Sequence, residues 1–286
     1  MKIIRTPRAM SVWSQQLRRE GVTVGVVPTM GALHDGHRAL IRAARLRCDA
    51  LVVSIFVNPT QFGPAEDLTK YPRSLVNDRA ICRREGADVC FEPTAKGMYP
   101  DGFQTIVSLP SIARRWEGEM RPHHFSGVAT VVTKLFGIVH PQIALFGQKD
   151  FQQSAVVRQL VEDLNLGVEI VVRPTVRERD GLAMSSRNVY LSPTQRVVAT
   201  TLYQSLRAGS EAIRKGLTDG EAIQEAMRRI VTRQPALTID YLAVCNPRTL
   251  EPLPLVTSSA VLLGAVRLGS VRLLDNLLVT VPAKRT

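Results

Sequence analysis

The sequence predicts an α/β protein: a Rossmann-like, mostly parallel sheet with helices on both faces, followed by a smaller C-terminal α+β domain. Three observations predict it. Short apolar, β-branched runs alternate with helical patterns as far as Pro174, as strand–helix–strand units require. The run at 50–57 is almost continuously apolar, the mark of a strand buried on both faces. Beyond Pro193 the order changes to two helical stretches and then three strands. The boundary falls near 174–192, with an N-terminal domain over 1–174 and a C-terminal one over 175–286.

The first predicted strand begins at Val22 and ends where Pro28 and Gly31 break the pattern. From His37 the spacing of Leu40, Ile41, Ala44 and Leu46 predicts a helix with arginines largely opposite, and Asp35 or Gly36 stands at the cap position. The strand at 50–57 runs into Asn58-Pro-Thr-Gln-Phe-Gly63, a loop at its carboxyl end, the edge along which open α/β sheets bind ligands. A helix over 74–85 and a strand over 87–91 follow. Residues 94–104 read as loop and 105–108 as a short strand. The turn formers Arg121-Pro-His-His-Phe-Ser-Gly127 lead into a helix over 128–139; His123 and His124 read as structural more readily than catalytic.

A strand over 142–146 leads directly into Gly147-Gln-Lys-Asp150 and a helix through Leu164. This order places Lys149 at a strand end, towards the same edge as His34 and His37, with Gln153 one helical turn further on. A last strand covers 168–173. The segment 177–188 is polar and too irregular to be core; Ser185, Ser186 and Arg187 suit phosphate oxygens, with Gly181 as a hinge. Helices over 193–215 and 219–233 and strands over 238–244, 260–266 and 270–274 complete the chain.

The most informative stretch is Met30-Gly-Ala-Leu-His-Asp-Gly-His37. His34 and His37 are three residues apart at a helix entrance, where free backbone N–H groups favour an anion. Gly36 lets a ligand approach the backbone, and a partly cationic imidazole pair suits phosphate. Three other readings compete. A metal site wants a third ligand, and none is evident. The glycine spacing of a P-loop is present, but His37-Arg38 stands where Lys-Ser/Thr is required. The histidines could also simply cap the helix.

Composition narrows the function classes. The net charge is +12, yet the basic excess is shared evenly, with 22 basic and 16 acidic residues before Thr175 and 15 and 9 after Pro174. There is no basic tail, and aromatics make up only 5%, too few for a nucleic-acid stacking platform. No run of eighteen apolar residues predicts a membrane span. The charged start does not resemble a signal peptide. Cys48, Cys82, Cys90 and Cys245 are widely spaced, like buried thiols in a reducing, cytoplasmic compartment. No Gly-x-Gly-x-x-Gly occurs, which argues against an ordinary dinucleotide site.

Met30 to His37 and Met184-Ser-Ser-Arg187 together resemble the two signatures of the HIGH-type nucleotidyltransferase superfamily. Pro28 to His37, Phe56 to Gly63, Gly127 to Val132, Lys149-Asp-Phe-Gln-Gln153 and Asp180 to Asn188 are similar, more closely, to the pantothenate synthetase family. The resemblance implies an ATP-dependent ligase that joins pantoate to β-alanine through a pantoyl-adenylate, releasing AMP and diphosphate. It further implies Mg²⁺ on the phosphates, a homodimer, and no nucleic-acid or membrane partner. By motif match, ATP would be held by Met30, Gly31, Ala32, Leu33, His34, Asp35, Gly36, His37, Gly147, Gln148, Lys149, Asp150, Val176, Met184, Ser185, Ser186 and Arg187. Gln61 and Gln153 match the pantoate-binding positions, and Gln61 also lies near β-alanine. His34, His37, Lys149, Ser185, Ser186 and Arg187 would carry the chemistry, and no residue is matched as a metal ligand. The 177–188 loop and the smaller domain are expected to act as lids. Two positions depart from the family pattern: Gln148 stands for Glu, and His123 for Gly. The competing reading is another HIGH-type adenylyltransferase, one that keeps AMP in its product.

Overall fold

The structure, a computed structural model, describes residues 1–64 and 66–281. The chain divides into two compact units, one of residues 1–148 and 152–176, the other of 149–151 and 177–286. In chain order the first carries β1 (Lys2–Ile4), α1 (Pro7–Arg19), β2 (Val24–Thr29), α2 (Asp35–Arg45), β3 (Ala50–Ile55), α3 (Leu75–Arg84) and β4 (Val89–Phe91). These are followed by α4 (Ala95–Met98), α5 (Glu117–Met120), α6 (His124–Val139), β5 (Ile143–Gly147), α7 (Phe151–Asp163) and β6 (Glu169–Arg173).

The six strands form one parallel sheet in the order β1-β4-β3-β2-β5-β6. The chain lays down β2, β3 and β4 in one direction, then returns to place β5 and β6 on the other side of β2. A reversal of this kind opens a crevice at the carboxyl ends of the two strands that flank it, here β2 and β5. Neighbouring residues of a strand face opposite ways, so Val26 and Val27, both fully buried, each need a covered face. Over one face, α2 and α3 pack Leu40, Ile41, Ala44 and Ile81 against Val27, Val53 and Leu145. On the other, α1 and α6 pack against each other and against β2. All six residues of β3 are buried, as its apolar composition requires.

In the second unit α8 (Pro193–Val198), α9 (Thr201–Arg214) and α10 (Gly220–Val231) precede β7 (Leu237–Cys245), β8 (Ser259–Leu268) and β9 (Val271–Thr280). The strands form an antiparallel sheet in chain order. Leu202, Leu206, Ile223 and Met227 from the helices bury against Leu242, Leu262 and Val266.

Several elements differ from the sequence expectation. Strand β1 and helix α1 open the chain, although Thr6-Pro7 is a legible start signal: Thr6 caps α1 by accepting from the Ala9 N–H at 3.3 Å. Residues 105–108 are not a strand; the Val107 N–H donates to the Thr130 hydroxyl instead of to a neighbouring strand. Helix α6 starts at His124, not Val128. The stretch 193–215 is two helices, because the Thr200 hydroxyl bonds back to the Val197 carbonyl at 2.8 Å where the axis breaks. Strand β9 continues to Thr280, past the polar pair Asp275-Asn276 that interrupts its apolar pattern.

At Gly127 packing demands a glycine. A Cβ on Gly127 in α6 would lie 2.4 Å from the Thr60 carbonyl oxygen, so helix and loop backbones meet directly. Gly137, further along α6, has nothing within 4 Å of that position. Gly127→Ala is therefore expected to destabilise by about 1–3 kcal/mol through forced backbone movement. Gly137→Ala should stabilise by about 0.5–1 kcal/mol, by helix propensity. Thermal or urea unfolding checks both signs, and equal effects would refute the packing argument.

Candidate active site

The turn after β2 is held by one buried carboxylate. Gly31 and Ala32 both have left-handed backbones, at φ 83° and 48°. Asp78 of α3, 1% exposed, accepts the Ala32 N–H at 3.0 Å and the Leu33 N–H at 2.8 Å. The Ser74 hydroxyl adds a third bond at 3.1 Å. Gly31 must lack a side chain, since a Cβ would lie 3.1 Å from both Asp78 Oδ2 and Ile55 Cγ2 on a backbone already at positive φ.

Helix α2 then starts at Asp35, and its cap is His34, not Asp35 or Gly36. The His34 Nδ1 accepts the Gly36 N–H at 3.2 Å, and the His37 Nδ1 accepts the His34 N–H at 3.3 Å. The rings lie 4.2 Å apart, centroid to centroid, tilted by 50°. A ring nitrogen that accepts from a backbone N–H carries no proton of its own, so each ring keeps its hydrogen on Nε2. The pair thus offers Nε2–H donors. At Gly36 a Cβ would meet the His34 ring at 2.9 Å, so the glycine makes room for the capping imidazole.

At the carboxyl end of β3 the chain makes a short helical turn, Pro59–Gln61, capped by Asn58. Asn58 is buried. Its amide donates to Gln61 Oε1 at 3.2 Å and to the Gly127 carbonyl at 3.1 Å, and its carbonyl oxygen accepts the Tyr99 hydroxyl at 2.8 Å. Gln61 Nε2 in turn donates to the Met30 sulfur at 3.0 Å, so the predicted residues Met30 and Gln61 meet. The Gln61 backbone carbonyl accepts from Arg121 Nη2 at 3.2 Å and from His124 Nδ1 at 3.0 Å. Arg121 also pairs with Glu66, Nε to Oε1 at 2.7 Å. The Arg121-Pro-His-His sequence therefore supports the Gln61 loop, with His124 in the structural role and His123 exposed.

At the end of β5, the Gln148 N–H donates to the Arg173 carbonyl at 2.8 Å, and Gly147 accepts the Ser154 hydroxyl at 3.3 Å. Gln152 is buried on the carbonyls of Ile112 and Arg115, while the adjacent Gln153 is half-buried. Val176, half-buried, ends the first unit.

The remaining predicted residues belong to the second unit. Lys149, Ser185 and Arg187 line a partly open pocket, together with Asn188, Tyr203, Arg272 and Asp275. Lys149 Nζ lies 3.4 Å from Asp150. Ser185 caps the turn Ser186–Tyr190 by accepting the Arg187 N–H at 3.3 Å. The preceding segment corrects one expectation: Leu182 and Ala183 are buried, and Leu182 joins the core of this unit. At Gly181, φ 96°, a Cβ would meet the Tyr203 ring at 2.4 Å, so the turn packs closely on that ring. Asp78, Arg272 and Asp275 carried no sequence signal, being single polar residues inside regular elements.

A family profile described as pantoate-beta-alanine ligase matches residues 2–278. A relative named pantothenate synthetase, from Desulfatibacillum aliphaticivorans, is 50% identical over 276 residues, 96% of this chain and 98% of its own. The crystal structure of pantothenate synthetase from Thermus thermophilus matches with a TM-score of 0.92 at 46% identity, over 97% of this chain and 99% of that one. The pantoate-beta-alanine ligase from Francisella tularensis, crystallised with beta-gamma ATP and beta-alanine, matches with a TM-score of 0.80 at 35% identity, over 97% of each chain. These likenesses define the class first, an enzyme that joins carbon to nitrogen, a ligase. Within that class the chain belongs to the pantoate–β-alanine ligase family.

The buried surroundings of His124, with Arg121 beside it, lower its pKa to about 4. The folded state holds the ring neutral where the unfolded chain, near 6.5, would protonate it. Stability from this group is therefore present above pH 6.5 and is lost as pH falls towards 4, by at most about 1.4 kcal/mol per pH unit. Denaturant titrations of the wild type and His124→Gln over pH 4–7 should diverge in that window, the wild type losing more. Parallel curves would rule this out.

Proposed function

We propose that the chain condenses (R)-pantoate with β-alanine, using ATP, to give pantothenate, AMP and diphosphate through a pantoyl-adenylate, a step of coenzyme A biosynthesis. The observation that carries this reading is family membership over nearly the whole chain, in a sheet whose carboxyl edge presents two histidine Nε2–H donors and a buried glutamine. The ATP analogue and β-alanine bound by the Francisella tularensis ligase support the same ligands here.

In this reading ATP is taken by Met30 to His37, Gly147 to Asp150, Val176 and Met184 to Arg187, and pantoate by Gln61 and Gln153. A pantoate carboxylate oxygen attacks the α-phosphorus while the bond to the diphosphate oxygen breaks. The enzyme has little covalent work to do, so positioning and charge stabilisation dominate. His34 and His37 donate neutral N–H groups; Lys149 and Arg187 supply charge, Ser185 and Ser186 hydroxyls. The β-alanine amine then attacks the acyl carbon, the C–N bond forms as the C–O bond to AMP breaks, and the amine proton leaves. Pinning of Gln61 by Asn58 holds its amide for pantoate without a charge that would compete for the phosphates.

Among the described residues no three His, Cys, Asp or Glu side chains cluster as a metal site. Mg²⁺ keeps several waters and binds through substrate phosphates with one or two carboxylates; Asp150, next to Lys149, would be the protein ligand. When bound, Mg²⁺ would neutralise phosphate charge. A cytoplasmic homodimer is part of the proposal. The burial of Cys48, Cys82, Cys90 and Cys245 supports a reducing compartment.

Two experiments test the reading. Lys149→Ala should lower turnover by roughly 10²–10³ with thermal stability unchanged, the usual effect of removing one preorganised charge; near-normal turnover in a stable variant would sink the assignment. With ATP, Mg²⁺ and pantoate but no β-alanine, labelled diphosphate should exchange into ATP, and adding β-alanine should release free AMP. Exchange without pantoate, or AMP retained in the product, would favour the other adenylyltransferase reading.

A further inference from the structure

The geometry points to the adjacent β9 residues Asp275 and Asn276 as positioning residues that hold Lys149 and the Ser185–Arg187 loop together as one rigid group. This rests on the ATP-handling role proposed above for Lys149 and that loop. Asp275 is 5% exposed and Asn276 2%. Arg177, just ahead of the loop, grips the Asp275 carboxylate with both ends of its fork, Nη1 to Oδ2 at 2.6 Å and Nη2 to Oδ1 at 2.9 Å. The same guanidinium donates to the Gly181 carbonyl at 3.1 Å and the Asn276 carbonyl at 3.2 Å, and lies 3.8 Å from the centre of the Tyr203 ring. An antiparallel bridge between Arg177 and Ala183, with the Glu178 N–H on the Leu182 carbonyl at 2.8 Å, folds the segment onto this anchor. The loop that begins at Met184 is thereby fastened at its root to the middle of a strand.

Lys149 is fastened to the same spot. The Asn276 amide donates to the Lys149 carbonyl at 2.8 Å, and residues 149–151 accordingly group with the second unit. Two neighbouring side chains on one strand thus fix the backbones of two segments far apart in sequence.

Charge explains why Asp275 acts as an anchor and not as a ligand. It lies in the wall of a cavity that also holds Lys149, Arg187 and Arg272, where a bare carboxylate would repel phosphate. The bidentate pair with Arg177 cancels that field and fixes direction as well as distance. Burial raises the pKa of the Asp275 carboxyl and the Arg177 guanidinium opposes that rise, so the ion pair favours the charged form of the anchor.

The test replaces the pair together, Arg177→Met with Asp275→Leu, because an apolar pair of similar volume often preserves folding where a single change leaves a buried charge. Diphosphate exchange would be measured against ATP and pantoate, with hydrogen exchange read on peptides covering 177–190 and 147–151. We expect the folded double variant to lose at least tenfold in kcat and to raise the KM for ATP about tenfold. The KM for pantoate should stay within twofold, and exchange should quicken in 177–190. Asn276→Ala, which leaves no buried charge, serves if the double variant does not fold. It should lower kcat at least fivefold, with faster exchange in 147–151 and an unchanged KM for pantoate. Wild-type kcat and KM for ATP in a folded variant would overturn the positioning role, and so would equal losses for both substrates, which indicate general damage. Lys149→Ala run alongside separates the two ideas. If it abolishes exchange while the anchor variants remain normal, only the positioning role fails. If it leaves exchange intact, the ATP assignment fails and the positioning role with it.

Discussion

The buried carboxylate of Asp78 is the constraint on which the sheet edge depends. A turn with Gly31 and Ala32 both left-handed would not hold that shape alone, because Ala32 gains nothing locally from a positive φ. Two backbone N–H groups on one carboxylate, sealed from water, supply what the local conformation lacks. Once the turn is set, His34 falls on the cap of α2 and His37 one turn later. Each ring is then oriented by a backbone N–H on its Nδ1.

That orientation has an electrostatic consequence. Rings whose Nδ1 atoms are occupied as acceptors have an Nε2 hydrogen left to donate. Donors of this kind stabilise negative charge as it develops without repelling each other across 4.2 Å. Positive charge is left to Lys149, Arg187 and Arg272, gathered around one cavity in the second unit. In the proposed reaction, hydrogen-bond direction and net charge would come from different residues, each held within its own unit.

The same device recurs three times. Asp78 fixes the turn after β2, Asp275 fixes the root of the Ser185–Arg187 loop through Arg177, and Glu66 engages Arg121, which holds the Gln61 carbonyl. In each case an acidic side chain is spent on backbone or on an arginine that touches backbone. None is left bare in the wall where phosphate would be repelled. Side chains that meet substrate in the proposed reaction are consequently uncharged or cationic, apart from Asp35 and Asp150, which pair with Arg38 and Lys149.

The chain's own sequence determined the alternating strands and helices, the buried β3, the change of architecture after Pro174 and the polar turns at strand ends. These depend on residues within a few positions of one another, which is the range over which periodicity and turn chemistry act. His34, His37, Gln61 and Ser185 became candidates for that reason, and Met30 by resemblance to the family. Tertiary structure alone decided which groups orient them. Asp78 reaches a turn 46 residues away, His124 a carbonyl 63 away, and Asp275 an arginine 98 away. It also decided that Gly36 serves an imidazole, that Gly181 serves a tyrosine ring, and that Lys149 is tied to β9. A single buried acid or glycine inside a helix or strand leaves no pattern along the chain, because its partner is defined only once the elements have packed.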